Sequence, residues 1–249
     1  MIGTLINFAT VMAGGFLGLL IGSRLPERIK TIVLTAIGLI VIALGVSQAI
    51  KTENPLLPLL ALVMGSVIGE LIDIDKGLNS LGDWLKKRFN RLGGEQNFTL
   101  AFVLASLQFC LGPLTILGSI NDGLTGNYSL LAIKAILDGF SAIVFASTFG
   151  VGTLFAGATI LIVQGGISLL AHVIKPLLVS DPHLSIADQP RVIELAAVGG
   201  VILIGLALNI LDIKRIKVAN MLPALLLAPL LVGLLNLLHI PLDFGLAGK

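Results

Sequence analysis

Runs of about twenty apolar residues, parted by short charged or Pro/Gly-rich stretches, govern what this chain can fold into. A bilayer core about 30 Å thick is crossed by about 20 helical residues, at about 1.5 Å of rise each. On that ruler the spans fall at Ile2–Gly22, Lys30–Ile50, Pro55–Ile72, Phe98–Gly118, Ser129–Phe149, Gly152–Ile174, Ile193–Leu211 and Met221–Leu238. The expected fold is all-α: a polytopic membrane helix bundle of about eight transmembrane helices, one integral domain over residues 1–249. Residues 129–174 are apolar almost throughout, and only Phe149-Gly150-Val151-Gly152 offers a turn. A re-entrant segment there would change the count.

Composition agrees. Hydrophobic residues make up 56% of the 249 and charged residues 12%, against about 25% charged in a soluble domain. A net charge of +2 gives no reason to expect a nucleic-acid partner. Cys110 is the single cysteine, which excludes an internal disulfide and a cysteine-rich metal site. The first charge is Arg24, so residues 1–22 read as a retained span and not as a cleaved signal peptide.

Lys and Arg set orientation. With the N-terminus outside, inward loops hold Arg24, Arg28, Lys30, Lys76, Lys86, Lys87, Arg88, Arg91, Lys214, Arg215 and Lys217. Outward segments hold only Lys51, Lys175, Arg191 and Lys249, so both termini are expected outside the cytoplasm. The longest inward loop, residues 73–97, carries Ile74, Leu78, Leu81, Leu85, Phe89 and Leu92 at helical spacing, with Trp84 and Lys86-Lys87-Arg88 beside them. That pattern predicts an amphipathic helix on the cytoplasmic leaflet.

An internal repeat is also expected. Gly3-Thr4-Leu5, Ala9-Thr10 and Gly14-Gly15 reappear as Gly152-Thr153-Leu154, Ala158-Thr159 and Gly165-Gly166, with a two-residue slip before the second Gly pair. Ala36-Ile37-Gly38 parallels Ala197-Val198-Gly199, and Gly69 can be laid on Gly233. Residues 1–72 then match residues 152–240, around a central pair of helices at residues 98–151. Five steps separate the members, an odd number, so the copies would be inverted, as in many secondary transporters.

The unusual chemistry lies in that central pair. Lys134 and Asp138, four residues apart, share one face near the middle of the fifth span. Charged residues there are costly, and they are functional-site candidates by default. Gly112-Pro113 should break the fourth span and expose backbone groups that only protein or a wet cavity can satisfy. The expected site is a cavity in which Gln108, Asp138 and Ser141 offer oxygens and Lys134 a positive charge. Asn121 and Asp122 would stand at its outer mouth, and Gln164, beside Gly165-Gly166, is a further candidate. The competing reading makes Lys134 and Asp138 a neutral structural pin, although Lys before Asp is the weaker order for such a pair. Asn7, Gln48, Asn209 and Asn236 read as hydrogen bonds between helices.

No Walker-type loop, His-Glu-x-x-His pair or Gly-x-Ser-x-Gly elbow is present, and His172, His183 and His239 are scattered. No enzymatic activity, metal or cofactor is therefore expected. Active transport would draw on an ion gradient or a partner.

Met1-Ile2-Gly3-Thr4-Leu5-Ile6-Asn7 with Gly14-Gly15 and Leu25-Pro26-Glu27-Arg28 opens the chain. Phe109-Cys110-Leu111-Gly112-Pro113-Leu114-Thr115-Ile116-Leu117-Gly118-Ser119, Asp122-Gly123, Lys134, Leu137-Asp138-Gly139-Phe140 and Gln164-Gly165 follow. With these segments the chain resembles, end to end, an uncharacterised bacterial membrane family, domain of unknown function 554 of the YdfK/YqgA type. The resemblance implies a bacterial inner-membrane protein and supplies no activity. Three functions stay open: a small secondary transporter for an unidentified solute or ion, a passive channel, and a non-transporting scaffold, assembly factor or sensor. The expected partners are the lipid bilayer, that solute and, through close-packing Gly faces, a second copy in a homodimer.

Overall fold

The computed structural model describes residues 1–22, 24, 26–89, 98–181 and 183–238, and within them it is all helix, with no strand. Eleven α-helices follow one another: α1 (Ile2–Gly22), α2 (Glu27–Ala49), α3 (Leu56–Ile72), α4 (Ile74–Arg88), α5 (Phe98–Leu111), α6 (Pro113–Thr125), α7 (Ser129–Phe149), α8 (Gly152–Leu169), α9 (Ala171–Leu178), α10 (Pro190–Ile210) and α11 (Pro223–Leu237). Six helical stretches are long and apolar enough to cross a membrane alone. Two bent pairs, α3 with α4 and α5 with α6, raise the number to eight if each is one span.

The breaks follow from local chemistry. Asp73 adopts a left-handed φ of 56°, ends α3, and turns its carboxylate back to accept from the Lys76 amide at 3.4 Å. It thus stops one helix and caps the next, which leaves at 50°. Gly112 is extended, with φ −65° and ψ 141°, and Pro113 starts α6 at a position where a missing N–H costs nothing. The two halves meet at 58°. Gly150, at φ 87° and ψ −158°, occupies backbone space open only to glycine, so residues 129–174 fold back as two helices. The second of these ends at Leu169, short of the expected Ile174, and the chain continues as α9.

Glycines decide which helices pair. Gly14, Gly18 and Gly22, four residues apart on α1, lie against the backbone of Gly139, Ile143 and Ser147 on α7. Both numbers rise together, so α1 and α7 run parallel, with no room for a side chain between their backbones. Gly45 meets Gly200 while Gly38 meets Leu211, which sets α2 antiparallel to α10. Gly65 faces Ala224 and Gly69 faces Asn220, so α3 runs antiparallel to α11. These small-residue faces are covered within the chain itself.

α10 is the enclosed centre, with Val198, Ile202 and Leu206 fully buried. α2 is the outlier, burying little beyond Gly38, Val41 and Gly45. The expected amphipathic helix is α4: Leu78 and Leu85 pack on the core, Gly82 lies against Thr99 and Phe102 of α5, and Leu81 and Trp84 are left exposed. Phe89 caps it and Leu92 lies outside the described residues, as do Leu25, His239 and Lys249. At the same end Asn220 ties three segments together, accepting from the Asp75 amide at 2.7 Å and donating to Glu70 at 2.7 Å.

Candidate functional site

The α1–α7 glycine ladder places Asn7 against Asp138. Asp138 is the tenth of the 21 residues of α7, and its Oδ2 accepts from Asn7 Nδ2 at 2.9 Å and from the Lys134 ammonium. Both charges are almost wholly buried. Asp138 Oδ1 has no hydrogen bond to any described residue.

The third partner of the pair comes from the helix break. In an uninterrupted helix the carbonyl of Phe109 would accept from the amide of residue 113. That residue is proline and has no N–H to give. Lys134 Nζ fills the vacancy at 2.7 Å, and Thr115 Oγ1 adds a second donor at 3.2 Å. The Phe109 ring packs against Phe145 of α7, centroids 6.4 Å apart, holding the broken end beside the lysine. One ammonium therefore joins α5 and α7, and one carboxylate joins α7 and α1. The Coulomb attraction is strong at this depth, and the hydrogen bonds to Asn7 and Phe109 offset part of the desolvation cost.

The pair stands in the wall of a cavity of about 340 Å³ bounded by α2, α7, α10 and the α5–α6 break. Gln108, Gly112, Lys134, Asp138 and Ser141, all named from sequence, line this one space. Gln48 of α2 joins them from the opposite side. The remaining wall is apolar. Ile40 and Phe140 line it while staying 61% and 67% exposed, so the cavity opens sideways between α2 and α7. Among the described residues the buried Gln108 Oε1 has no hydrogen-bond partner, which makes it an acceptor open to a ligand. A second cavity of about 380 Å³ lies between α5, α8 and α11; Ser106, Cys110 and Thr159 are the polar points of an otherwise apolar lining.

Three expected residues stand elsewhere. Asp122 is buried where α6 meets the start of α1, and its Oδ2 accepts from the Gly3 amide at 3.1 Å and pairs with the Met1 nitrogen at 3.0 Å. Asn121, half-buried, is its neighbour on α6. Gln164 is fully buried on α8, next to Gly165, which packs against Met1 and Thr4 of α1, and neither of its amide atoms has a partner. None of the three lines either cavity. Asp122, Gln164, Thr4 and Ser119 instead form a separate buried polar region at the meeting of α1, α6 and α8.

Sequence reasoning passed over two participants in the site and one buried carboxylate outside it. Asn7 was read as an interhelical hydrogen bond and makes one, but its partner, the central carboxylate, was not foreseen. Phe109 acts through a backbone oxygen, and its position was available as the residue four before Pro113. Glu194 is 6% exposed near the start of α10; its Oε1 accepts from Thr52 Oγ1 at 2.6 Å and its Oε2 has no partner. A carboxylate in the first turns of a membrane-length helix was the available signal. The described residues include no cluster of three metal-binding side chains.

The chain belongs to the family described as Protein of unknown function (DUF554), whose model matches residues 2–233. It is 34% identical over 230 residues to "Uncharacterized protein YqgA" of Escherichia coli (strain K12), covering 91% of this chain and 94% of that one. It is 30% identical over 240 residues to "Uncharacterized membrane protein YdfK" of Bacillus subtilis (strain 168), covering 95% and 97%. No solved structure matches it.

Proposed function

For this member of a family of unknown function, we propose a small secondary transporter that carries an unidentified small solute or ion through the Lys134/Asp138 cavity. The observation that carries the reading is a buried charge pair halfway along a membrane-length helix, facing both a broken helix and a cavity. Ionisable residues at membrane depth mark transport paths, and interrupted helices form the sites of many carriers. No nucleotide loop or hydrolytic constellation is present in the sequence, so the reading is of a gradient-driven carrier and not an enzyme.

An inverted repeat fits the packing. α1 touches α8, α2 touches α10 and α3 touches α11, each antiparallel, as a two-fold axis in the membrane plane requires. α5 also lies along α8 as α7 lies along α1: Gly152 faces Phe98 and Ala101, and Gly3 faces Tyr128 and Leu131. That register sets Gln108 where Asp138 stands, and both line the cavity. The Lys/Arg bias supports a bacterial inner-membrane protein with both termini outside the cytoplasm.

One observation favours a second reading, a non-transporting scaffold. Lys134 and Asp138 are already bound to each other, to Phe109 and to Asn7, as a structural pin would be. A thermal-shift screen of purified wild type and Asp138→Asn against cations, amino acids, organic acids and a pH series separates the two. Transport predicts a ligand that stabilises wild type alone and is taken up by proteoliposomes. The pin predicts no such ligand and a variant that simply melts lower.

A further inference from the structure

We infer that the Lys134 ammonium occupies a monovalent-cation site built by the chain, one that accepts Na⁺, K⁺ or NH₄⁺ once the lysine is removed. The inference goes beyond the transport reading, because it holds equally for a carrier and for a structural pin.

The surroundings of the nitrogen are those of a cation site. It donates to the carbonyl of Phe109 at 2.7 Å and to a carboxylate oxygen of Asp138. Asn7, fully buried and bound to that same carboxylate through its Nδ2, has an Oδ1 with no donor. Thr115, also fully buried, brings its hydroxyl to the Phe109 carbonyl. The oxygens that meet the nitrogen are thus a main-chain carbonyl and a carboxylate, each held by a further hydrogen bond from Thr115 or Asn7, and both are hard donors suited to alkali cations and ammonium. The backbone contribution is directional: Phe109 belongs to the C-terminal end of α5, where unshared carbonyls concentrate negative partial charge. Carriers with interrupted helices hold Na⁺ at such half-helix C-termini. Here a side chain from α7 delivers the positive charge instead.

Charge selects the valence. Among the described residues Asp138 is the one carboxylate lining the cavity, so a single positive charge neutralises the site. A divalent ion would leave one charge uncompensated in a medium that penalises it heavily. In the wild type the Lys134 side chain fills this place, so the wild type has no need of a free cation here.

The test is a melting experiment on full-length Lys134→Ala in detergent. NaCl, KCl, NH₄Cl or methylammonium chloride replaces choline chloride at constant ionic strength. The expected result is a variant that melts below wild type in choline and regains stability saturably with at least one small cation, on the order of 5 °C at 100-fold over its Kd. Wild type and Lys134→Ala/Asp138→Asn should stay flat. No response of the single variant, or an equal response in the double variant, overturns the inference. If Lys134→Ala cannot be purified in choline, recovery of folded protein only in a small-cation salt supports it. Failure in every salt, while the double variant folds in all, refutes it.

Discussion

Lys134 Nζ donates at 2.7 Å to the Phe109 carbonyl, the acceptor that Pro113 leaves without a main-chain partner. A break in one helix and a charge on another are therefore two halves of one feature. Without the lysine the carbonyl would keep only the Thr115 hydroxyl, at 3.2 Å, and without the break the ammonium would lose a neutral oxygen close by. Asp138 completes the arrangement, and the glycine ladder of α1 brings Asn7 to Asp138.

Restoring an N–H at position 113 should compete with that arrangement. Pro113→Ala gives the Phe109 carbonyl a helical donor and removes the obstacle to a continuous α5–α6 helix, worth about 3 kcal/mol in a helix interior. Hydrogen exchange should slow across residues 112–116 in the variant, and Lys134 should become more reactive to amine-selective reagents. Unchanged exchange there would mean that Gly112 alone maintains the bend.

The charge pair should show strong coupling. Asp138→Asn strands a buried ammonium, and Lys134→Met strands a buried carboxylate, each at about 3–5 kcal/mol. The double variant leaves no unpaired charge and should recover most of that loss, giving an interaction energy above 1 kcal/mol in a denaturant cycle. Additive losses would show that the two side chains act independently.

The ladder makes a sharper steric prediction. A Cβ at Gly18 would press on the backbone oxygen of Ile143, and neither backbone has a side chain that could yield. Gly18→Val should cost about 1–3 kcal/mol or more and loosen the Asn7 contact. Gly166 is the control: its Cβ would meet nothing within 4 Å. Gly166→Ala should hold or raise the melting temperature, since alanine is favoured in a helix by about 0.5–1 kcal/mol.

These pairings mark the limit of what the sequence displays. Span length and Gly/Pro punctuation give α1 and α7 to the residue, and the Gly112-Pro113 break, because those are local properties of a chain that must satisfy its own backbone. Clustering of Gln108, Lys134, Asp138 and Ser141 was legible too, as a broken helix and a charged helix are forced toward any shared polar space. Partner identity was not. Asn7 and Asp138 are 131 residues apart, and Thr52 and Glu194 are 142; helical periodicity says which face a residue occupies, not which helix that face meets. Asp122 was expected at the cavity mouth by its place after the break. It is held instead by the start of α1, whose free amides attract a carboxylate.

Thr52 and Glu194 bring the α2–α3 connection onto the head of α10, at the opposite end of the bundle from the Glu70, Lys217 and Asn220 cluster. Ser185, in the segment leading to α10, lies at the first end, and Ser80, on α4, at the second; both are exposed. With Cys110 replaced by alanine, a single cysteine at Ser185 should react with an impermeant maleimide from outside intact cells. One at Ser80 should react only after the membrane is opened, because its neighbours Lys76, Lys86, Lys87 and Arg88 favour the cytoplasmic side. The bundle fixes the two sites at opposite ends, so a reversed result would invert the whole protein without altering its fold. Equal labelling from outside would be a different matter. It would put α4 and the head of α10 on one side, and an even number of crossings would have to lie between them in place of the three made by α5 with α6, α7 and α8.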